Sequence, residues 1–399
     1  MRILVIGGGA AGFFCAVNLA ARLPAARITI LERGKSVLEK VRISGGGRCN
    51  VTHACWEPRE LVKFYPRGGR ELLGPFHKFA CGDTMAWFGD RGVALKIEED
   101  GRVFPESDTS QTIIDCLWGE GRHRGVDVVT GARVEQISAS SNEWVVQVGN
   151  GTYRADRLVV TTGSNPGVWK MLEKLGHAIV APVPSLFALN IKDARLAGLA
   201  GISLPWVQLS AAGNQLRVEG PLLITHKGLS GPAVLRLSAW GARQLHPLGY
   251  DFELSVNWVA RRGEDISQEL TTIRTKEARK QIGKHARCSL PLRLWQSLLN
   301  AAGVPPDQQW AQLSNEQLLR LIAELTDGRY QVTGKATNKE EFTTAGGVDL
   351  REVDFRTFQS RVRPGLYLAG EVLDVDAITG GFNFQAAWTG GAIIADRLE

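Results

Sequence analysis

The chain has 399 residues, 44% hydrophobic and 22% charged, with a formal net charge of +6. This is a globular composition with room for two or three domains, and no apolar run approaches the roughly 18 residues that a membrane-crossing helix needs. Six irregularly spaced cysteines (15, 49, 55, 81, 116 and 288) without a C-x-x-C pair argue against a disulfide framework, and seven histidines without an H-E-x-x-H or Cys/His cluster argue against a metal site.

The first predicted element is a short apolar strand, Arg2 to Ile6, followed at once by Gly7-Gly8-Gly9-Ala10-Ala11-Gly12. An apolar helical stretch runs from Phe13 to about Leu23, and a second strand, Arg27 to Leu31, ends on Glu32. This is G-x-G-x-x-G inside a strand–turn–helix–strand unit, with an acid 32 − 12 = 20 residues after the last glycine. Gly7 permits the tight turn, Gly9 lets backbone amides approach a pyrophosphate, and Gly12 lets helix and strand pack closely. The helix N-terminus offers unpaired N–H groups and a positive dipole end to phosphates, and Glu32 can accept hydrogen bonds from an adenosine ribose. The glycine turn interrupts the apolar run after Ile6, which rules against reading the N-terminus as a signal peptide.

Next comes Ile43-Ser44-Gly45-Gly46-Gly47-Arg48-Cys49-Asn50-Val51-Thr52. Its three glycines make a loop of little bulk, able to lie against a ring system or a pyrophosphate. Ser44, Gly46, Arg48 and Asn50 are its candidates for contact with a cofactor. Arg48 brings planar guanidinium donors for phosphate or flavin carbonyls; the plain alternative is a surface turn. Cys49 lies C-x5-C from Cys55, one residue longer than the dithiol spacing of flavin disulfide reductases, and is read as a small packing residue.

Three strands of a β-meander are predicted at Val126–Val134, Trp144–Val148 and Tyr153–Val160. The last runs into Thr161-Thr162-Gly163-Ser164, where Thr162 and Gly163 bring backbone close to something flat or phosphorylated, or simply form a common turn. From Pro182 the texture changes. Short alternating runs over 186–258, with turn signals at Gly213-Asn214, Gly220-Pro221 and Gly231-Pro232, suggest a small antiparallel sheet or barrel. Residues 264–328 read as helical, with capping-box spacing at Ser314–Gln317, apolar Leu318, Leu321, Ile322 and Leu325, and a stop at Gly328. Arg261–Arg293 holds nine Lys/Arg against four Asp/Glu. That is either a solvated helical face or a phosphate-attracting surface.

The chain then returns to its opening style. Gly365 to Glu371 is a buried strand closing on Gly370-Glu371, and Gly380-Gly381-Phe382-Asn383 opens an apolar helix carrying Phe384, Ala387 and Trp388. The organisation expected is one α/β nucleotide-binding domain in two parts, 1–185 and 340–399, with an inserted domain at 186–339. Within the insert, a small β-barrel is placed at about 186–260 and a helical part at about 261–330. A late strand ending in an acid favours FAD over NAD, because a stably held flavin takes ribitol contacts from such a strand. The helix opening at Gly381-Phe382-Asn383 would aim its N-terminus at the flavin N1–C2=O edge, where reduced flavin is negative. The plain alternative is an apolar helix packed on the sheet.

ISGGGRCNVTH at 43–53, GRVFPES at 101–107, THKGLSGPAVL at 225–235 and AGEVLDVDAITGGFNFQAAWTGG at 369–391 together resemble the bacterial BaiN-like, aminoacetone-oxidase-like flavoproteins over essentially the whole chain. The resemblance implies non-covalent FAD, a Rossmann-type two-dinucleotide-binding-fold FAD domain, and an insert of a β-barrel and a helical part. It places Gly7, Gly9, Ala10, Ala11 and Gly12 at the pyrophosphate, Glu32 and Arg33 beside the adenosine ribose, and Arg48 near the pyrophosphate or flavin. Backbone at Val134 would meet the adenine, and Gly370, Glu371, Gly381, Phe382, Asn383 and Phe384 would lie along ribitol and isoalloxazine. Two departures, Asp376–Thr379 before Gly380 and Thr161-Thr162-Gly163-Ser164 where Ala-Thr-Gly-Gly is usual, touch the detail of the flavin-facing loops.

The expected function is that of a cytoplasmic FAD-dependent oxidoreductase, passing a hydride between flavin N5 and a small organic substrate bound between FAD domain and insert. Substrate and oligomeric state stay open, and the activity is either amine-oxidase-like or reductase with NAD(P)H as transient co-substrate. No membrane or nucleic-acid partner is expected, and no catalytic residue is assigned. His226 in the insert could donate or accept a proton, or simply satisfy backbone at a sharp turn. The alternative function is a flavin-holding binding protein or redox sensor, whose basic 261–293 surface docks a partner or RNA.

Overall fold

The computed structural model describes residues 1–140, 143–211, 213, 215–336 and 343–398. The turn position Asn214 and the expected boundary at 339/340 lie outside the described residues. The chain separates into two compact units, residues 1–183 with 343–399, and residues 184–342.

A seven-stranded sheet forms the heart of the first unit. Its strands, in spatial order, are Val353–Asp354, Gln359–Ser360, Leu366–Leu368, Arg157–Val160, Arg2–Ile6, Arg27–Leu31 and Asp127–Val129. The last five run parallel; the first two form an antiparallel edge. Helices cover a parallel sheet on both faces, so its central strands carry unbroken apolar runs. Ile3 to Ile6, Leu158 to Val160 and Leu366 to Leu368 are accordingly all buried. The helix Ala10–Arg22 leaves the first strand and packs against the helix Phe382–Arg397, with Phe14 lying 5.2 Å from the Trp388 ring. Gly391 allows that approach, since a Cβ there would stand 3.0 Å from the Cys15 amide nitrogen.

The meander expected from 126 to 160 is divided between two sheets. Asp127–Val129 joins the parallel sheet, whereas Val134–Ser140, Glu143–Val148 and Gly151–Ala155 make a separate antiparallel one. The single strand expected at Tyr153–Val160 is cut at Asp156. Its carboxylate accepts the Arg2 amide proton at 2.7 Å, and its own N–H donates to the Arg2 carbonyl at 2.9 Å. This clamp steers the chain from one sheet into the other.

The second unit contains a closed six-stranded barrel in the order Leu189–Ile191, Gly228–Ser230, Leu216–Thr225, Ser203–Ala211, Asp251–Asn257 and Gly328–Lys335. Inward and outward residues alternate along Leu216–Thr225, as a pleated strand with one solvated face requires. The sixth strand follows the helices in sequence, so barrel and helical part are interleaved rather than consecutive. Helices Gly263–Lys276, Leu292–Ala301 and Asn315–Asp327 contribute Leu270, Trp295 and Leu321 to the same apolar core as the barrel. Ser314 caps the third of these, its hydroxyl accepting from Gln317 N at 3.0 Å while Gln317 reaches back to Ser314 N.

Candidate functional site

The glycine turn and its helix form the floor of the site. Gly7 sits at φ +107°, and a Cβ there would come within 2.6 Å of the Thr161 carbonyl. A side chain at Gly12 would run into the Gly7 carbonyl. By contrast, the ideal Cβ position of Gly9, which caps Ala10–Arg22, meets nothing within 4 Å. The turn is thus packed hard on its protein side and open on the other. Thr161 locks it by directing its hydroxyl at the carbonyls of Ile6 (3.1 Å) and Gly7 (3.0 Å).

Glu32 follows the second strand. One carboxylate oxygen accepts from Gly8 N at 2.8 Å and the other from Gly34 N at 2.7 Å. A carboxylate has about four lone-pair positions, so two backbone donors leave acceptor capacity for ribose hydroxyls. Ala132 N donates to the Glu32 carbonyl and Gly131 N to that of Gly34, both at 2.8 Å, so the backbone leading to Val134 lies alongside Glu32–Gly34. Arg33 is exposed between them.

The late strand delivers Gly370 and Glu371 to the same place. A Cβ on Gly370 would lie 3.2 Å from that of Ala11. Glu371 forms an ion pair with Lys40, and Gly163 stands beside both. Next to it, the Thr162 hydroxyl oxygen is buried without a hydrogen-bond partner. A buried polar atom left in this state costs about 1–3 kcal/mol, which marks a place where a ligand would be welcome.

Ser44–Gly47 forms a tight turn in which Gly45, Gly46 and Gly47 all take positive φ, and the Ser44 hydroxyl donates to the Val41 carbonyl at 2.9 Å. Ideal Cβ positions at Gly46 and Gly47 meet nothing within 4 Å. Arg48 turns to other partners, lying over the Phe104 ring at 3.9 Å, 2.7 Å from Glu98 and 3.3 Å from Asp108. Its charge is matched by those carboxylates. Burial pushes the Cys49 thiol up to about 12, which keeps it protonated and unreactive.

Asn50 links this loop to the helix Phe382–Arg397. With its amide oxygen toward Gly381 it accepts that residue's N–H at 3.0 Å and donates to the Thr52 carbonyl at 3.0 Å. Asn383 bonds to Ala377 in both directions, accepting its N–H at 2.9 Å and donating to its carbonyl at 3.1 Å. The Phe382 ring is buried between Phe64 (4.3 Å) and His53 (4.6 Å), and its carbonyl accepts from Tyr65 OH at 2.6 Å. Its side chain therefore anchors the helix start and leaves backbone N–H groups at the opening. Phe384 stacks on Trp388.

The structure thus gathers Gly7–Gly12, Glu32, Thr162, Gly163, Gly370 and Glu371 around one turn, with Gly131–Val134 beside Glu32. Asn50, Gly381, Phe382 and Asn383 make a second cluster at the terminal helix. Arg48 stays with its carboxylates. Lys40 was not foreseen, because one lysine in a charged stretch carries no local signal for an ion pair with Glu371. His53 closes the ISGGGRCNVTH segment. Its Nδ1 is buried without a partner, while Nε2 lies 3.1 Å from the Asp100 carbonyl. Among the described residues no group of His, Cys, Asp and Glu could hold a metal ion.

Open space over Gly9, the unpartnered Thr162 hydroxyl and the spare acceptor capacity of Glu32 all fit a dinucleotide. A Rossmann sheet with this turn, acid and late strand defines an FAD-dependent oxidoreductase. The chain belongs to the HI0933-like Rossmann-domain family, whose model matches residues 1–397.

Among its relatives is a ribosomal RNA dihydrouridine synthase of Escherichia coli K12, 30% identical over 99% of this chain and 97% of that one. A 3-dehydro-bile acid Δ(4,6)-reductase of Clostridium scindens is 28% identical over 98% of this chain and 97% of that one. The fold is shared with a solved 3-ketosteroid-Δ4-(5α)-dehydrogenase of Rhodococcus jostii RHA1, at TM-score 0.52 and 14% identity, covering 98% of this chain and 96% of that one. No helix among the described residues is long and apolar enough to cross a membrane.

Proposed function

We propose that this protein is a reductase that saturates a carbon–carbon double bond conjugated to a carbonyl, with NAD(P)H as the electron source. The observation that carries the reading is a shared bond type. Dihydrouridine arises when the C5=C6 bond of a uracil, conjugated to C4=O, takes up hydrogen, and a Δ(4,6) bond system next to a 3-oxo group is likewise an extended enone. Relatives at 30% and 28% identity are named for these two reactions. The net change is one hydride to the β-carbon and one proton to the α-carbon, as NAD(P)H becomes NAD(P)⁺. Bound FAD supplies the two-electron hydride chemistry.

The chain's own residues hold and tune the site. Backbone N–H groups at Gly9–Gly12, at the positive end of the helix Ala10–Arg22, would face the pyrophosphate. Glu32, with Arg33 alongside, would bind the adenosine ribose, and backbone at Val134 the adenine. The Thr162 hydroxyl, Gly163 and Glu371 would line the ribitol chain. Ser44, Gly46 and Asn50 on one side and Gly381–Phe384 on the other would flank the ring, with the terminal helix favouring its reduced, anionic form. Six free cysteines suit a protein kept in the cytoplasm.

The test is anaerobic mixing of the purified yellow protein with NADPH and with NADH, followed by addition of a 3-oxo-4,6-diene steroid acid or a uridine-containing RNA. Bleaching by a nicotinamide, then recolouring with a product two mass units heavier, is expected. An oxidised flavin band that persists with both nicotinamides overturns the reductase reading.

A further inference from the structure

The second unit carries a cleft that the flavin site does not use. Its volume is about 380 Å³, within the range of about 300–1,000 Å³ usual for ligand pockets. It lies against the barrel strand Leu189–Ile191, the turn Thr225–Gly228 and the short turn that follows Asp193. Two lysines, Lys192 and Lys227, line it together with His226, and all three are exposed. Neither ammonium has an ion-pair partner among the described residues. Arg293 reaches the Gly198 carbonyl, next to the lining residue Ala197, and adds a further positive charge at the rim. One carboxylate, Asp193, also lines the cleft, and both its oxygens are engaged by Arg195, at 2.9 and 2.7 Å. The cleft therefore presents uncompensated positive charge.

Its turn is held rigidly. Thr225 and Gly228 pair across the two-residue loop His226-Lys227. The Thr225 hydroxyl donates to the Gly228 carbonyl at 3.2 Å, and the Lys227 carbonyl accepts Ile191 N at 2.8 Å. Lys227 is thus mounted on backbone that the neighbouring strand fixes. Within the same lining, Asn190 donates through its side-chain nitrogen to the Lys335 carbonyl at 2.9 Å, but its side-chain oxygen is buried and no donor reaches it.

These features call for two different partners in one ligand. The lysines and His226 attract an anion; the orphaned Asn190 oxygen accepts from an N–H. An inorganic anion would satisfy the first and leave the second unmade, at the cost of a buried unsatisfied acceptor. We infer that the cleft lined by Asn190, Lys192, His226 and Lys227 binds a nucleotide, its phosphate on the lysines and an amino, imino or carboxamide N–H on Asn190. The assignment rests on the second unit alone and stands whether or not the reductase reading holds. Two sources carry this chemistry: a single-stranded RNA and a free nicotinamide dinucleotide.

The experiment uses the FAD-loaded full-length protein, wild type and the double variant Lys192→Glu/Lys227→Glu, with Asn190→Ala as a second probe. Binding of a fluorescent short single-stranded RNA is followed by anisotropy across a salt series, binding of NADPH by equilibrium dialysis, and inorganic phosphate serves as competitor. Both substituted lysines are exposed, so unchanged flavin content and unfolding temperature certify the fold. If RNA is the source, the charge reversal weakens its binding more than tenfold. The slope of log K against log salt then becomes shallower by about 1.4, from roughly 0.7 per lost phosphate contact on a single strand. Asn190→Ala weakens binding a few-fold without altering that slope. If the dinucleotide is the source, NADPH affinity falls in both variants and RNA affinity does not. Affinities for both unchanged in intact variants, or no binding of either by the wild type, overturn the assignment.

Discussion

Lys40 and Glu371 stand 331 residues apart in sequence and meet in an ion pair beside Gly163. Lys40 is about half exposed, so the pair itself adds little to stability, about 0–1 kcal/mol. Its position gives it meaning: Glu371 is held where the ribitol chain of the cofactor is proposed to lie. Glu371→Ala should raise the FAD dissociation constant about tenfold or more, while Lys40→Ala, which leaves the carboxylate in place, should change it by less than about threefold, given 1.5–3 kcal/mol for a hydrogen bond to a charged group. Fluorescence titration of apoprotein with FAD measures both. Equal effects of the two variants would remove Glu371 from the cofactor.

Glu32 offers a sharper case, because its carboxylate joins Gly8 and Gly34. Glu32→Ala removes the charge-assisted acceptors of the Gly8 amide in the glycine turn and of the Gly34 amide, in addition to the proposed ribose contact. Flavin retained per protein after dialysis should drop by more than about tenfold, and Glu32→Gln should be intermediate, since it keeps one neutral acceptor. Full retention by the alanine variant would contradict the role.

Asn383 lies outside the glycine turn and reports on the terminal helix. Its side chain satisfies both backbone groups of Ala377, a fully buried residue. Asn383→Ala should cost about 1–3 kcal/mol, read as a lower urea midpoint. Asn383→Asp keeps the acceptor for Ala377 N and should cost less. A midpoint unmoved in the alanine variant would show that water replaces the amide.

His177 gives the acid limb of stability its sign. Its ring is fully buried, Nδ1 lies 2.9 Å from Glu352 and Nε2 lies 3.0 Å from the Ser360 hydroxyl. Burial lowers its pKa below the ordinary 6.5, against the opposing pull of Glu352, and burial lowers that of His53 as well. The folded state therefore prefers the neutral rings. Below pH 6.5 the unfolded chain binds more protons than the folded one, so stability is complete above that pH and is lost as the pH falls toward the lowered value. Unfolding temperatures between pH 7.5 and 5.5 should decline in the wild type and decline less in His177→Gln. An identical slope would assign the effect elsewhere.

The dinucleotide unit was legible because every part of it is local. Strand, turn, helix and acid follow one another within 32 residues, and each obeys its own short-range rule. The terminal helix and Gly370-Glu371 were legible for the same reason. The strand switch at Asp156 was not, because no Gly or Pro interrupts Tyr153–Val160 and only the pairing of Asp156 with Arg2 divides it. Arg48 shows the complementary difficulty. Glycines on one side advertise a ligand loop, but the carboxylates that engage the guanidinium come from positions 98 and 108, which no local pattern connects to it.

The helix Phe382–Arg397 lies against Ala10–Arg22, and the strand before it brings Glu371 to the glycine turn. During synthesis, therefore, the opening Rossmann unit emerges from the ribosome long before its partners exist. It must wait in a half-built state, with the apolar face of its first helix uncovered, until residues 366–397 arrive. A flavin site that needs Glu371 is consequently completed only once the whole intervening barrel segment has been made, and a nascent chain stalled inside that segment would still expose the uncovered helix face.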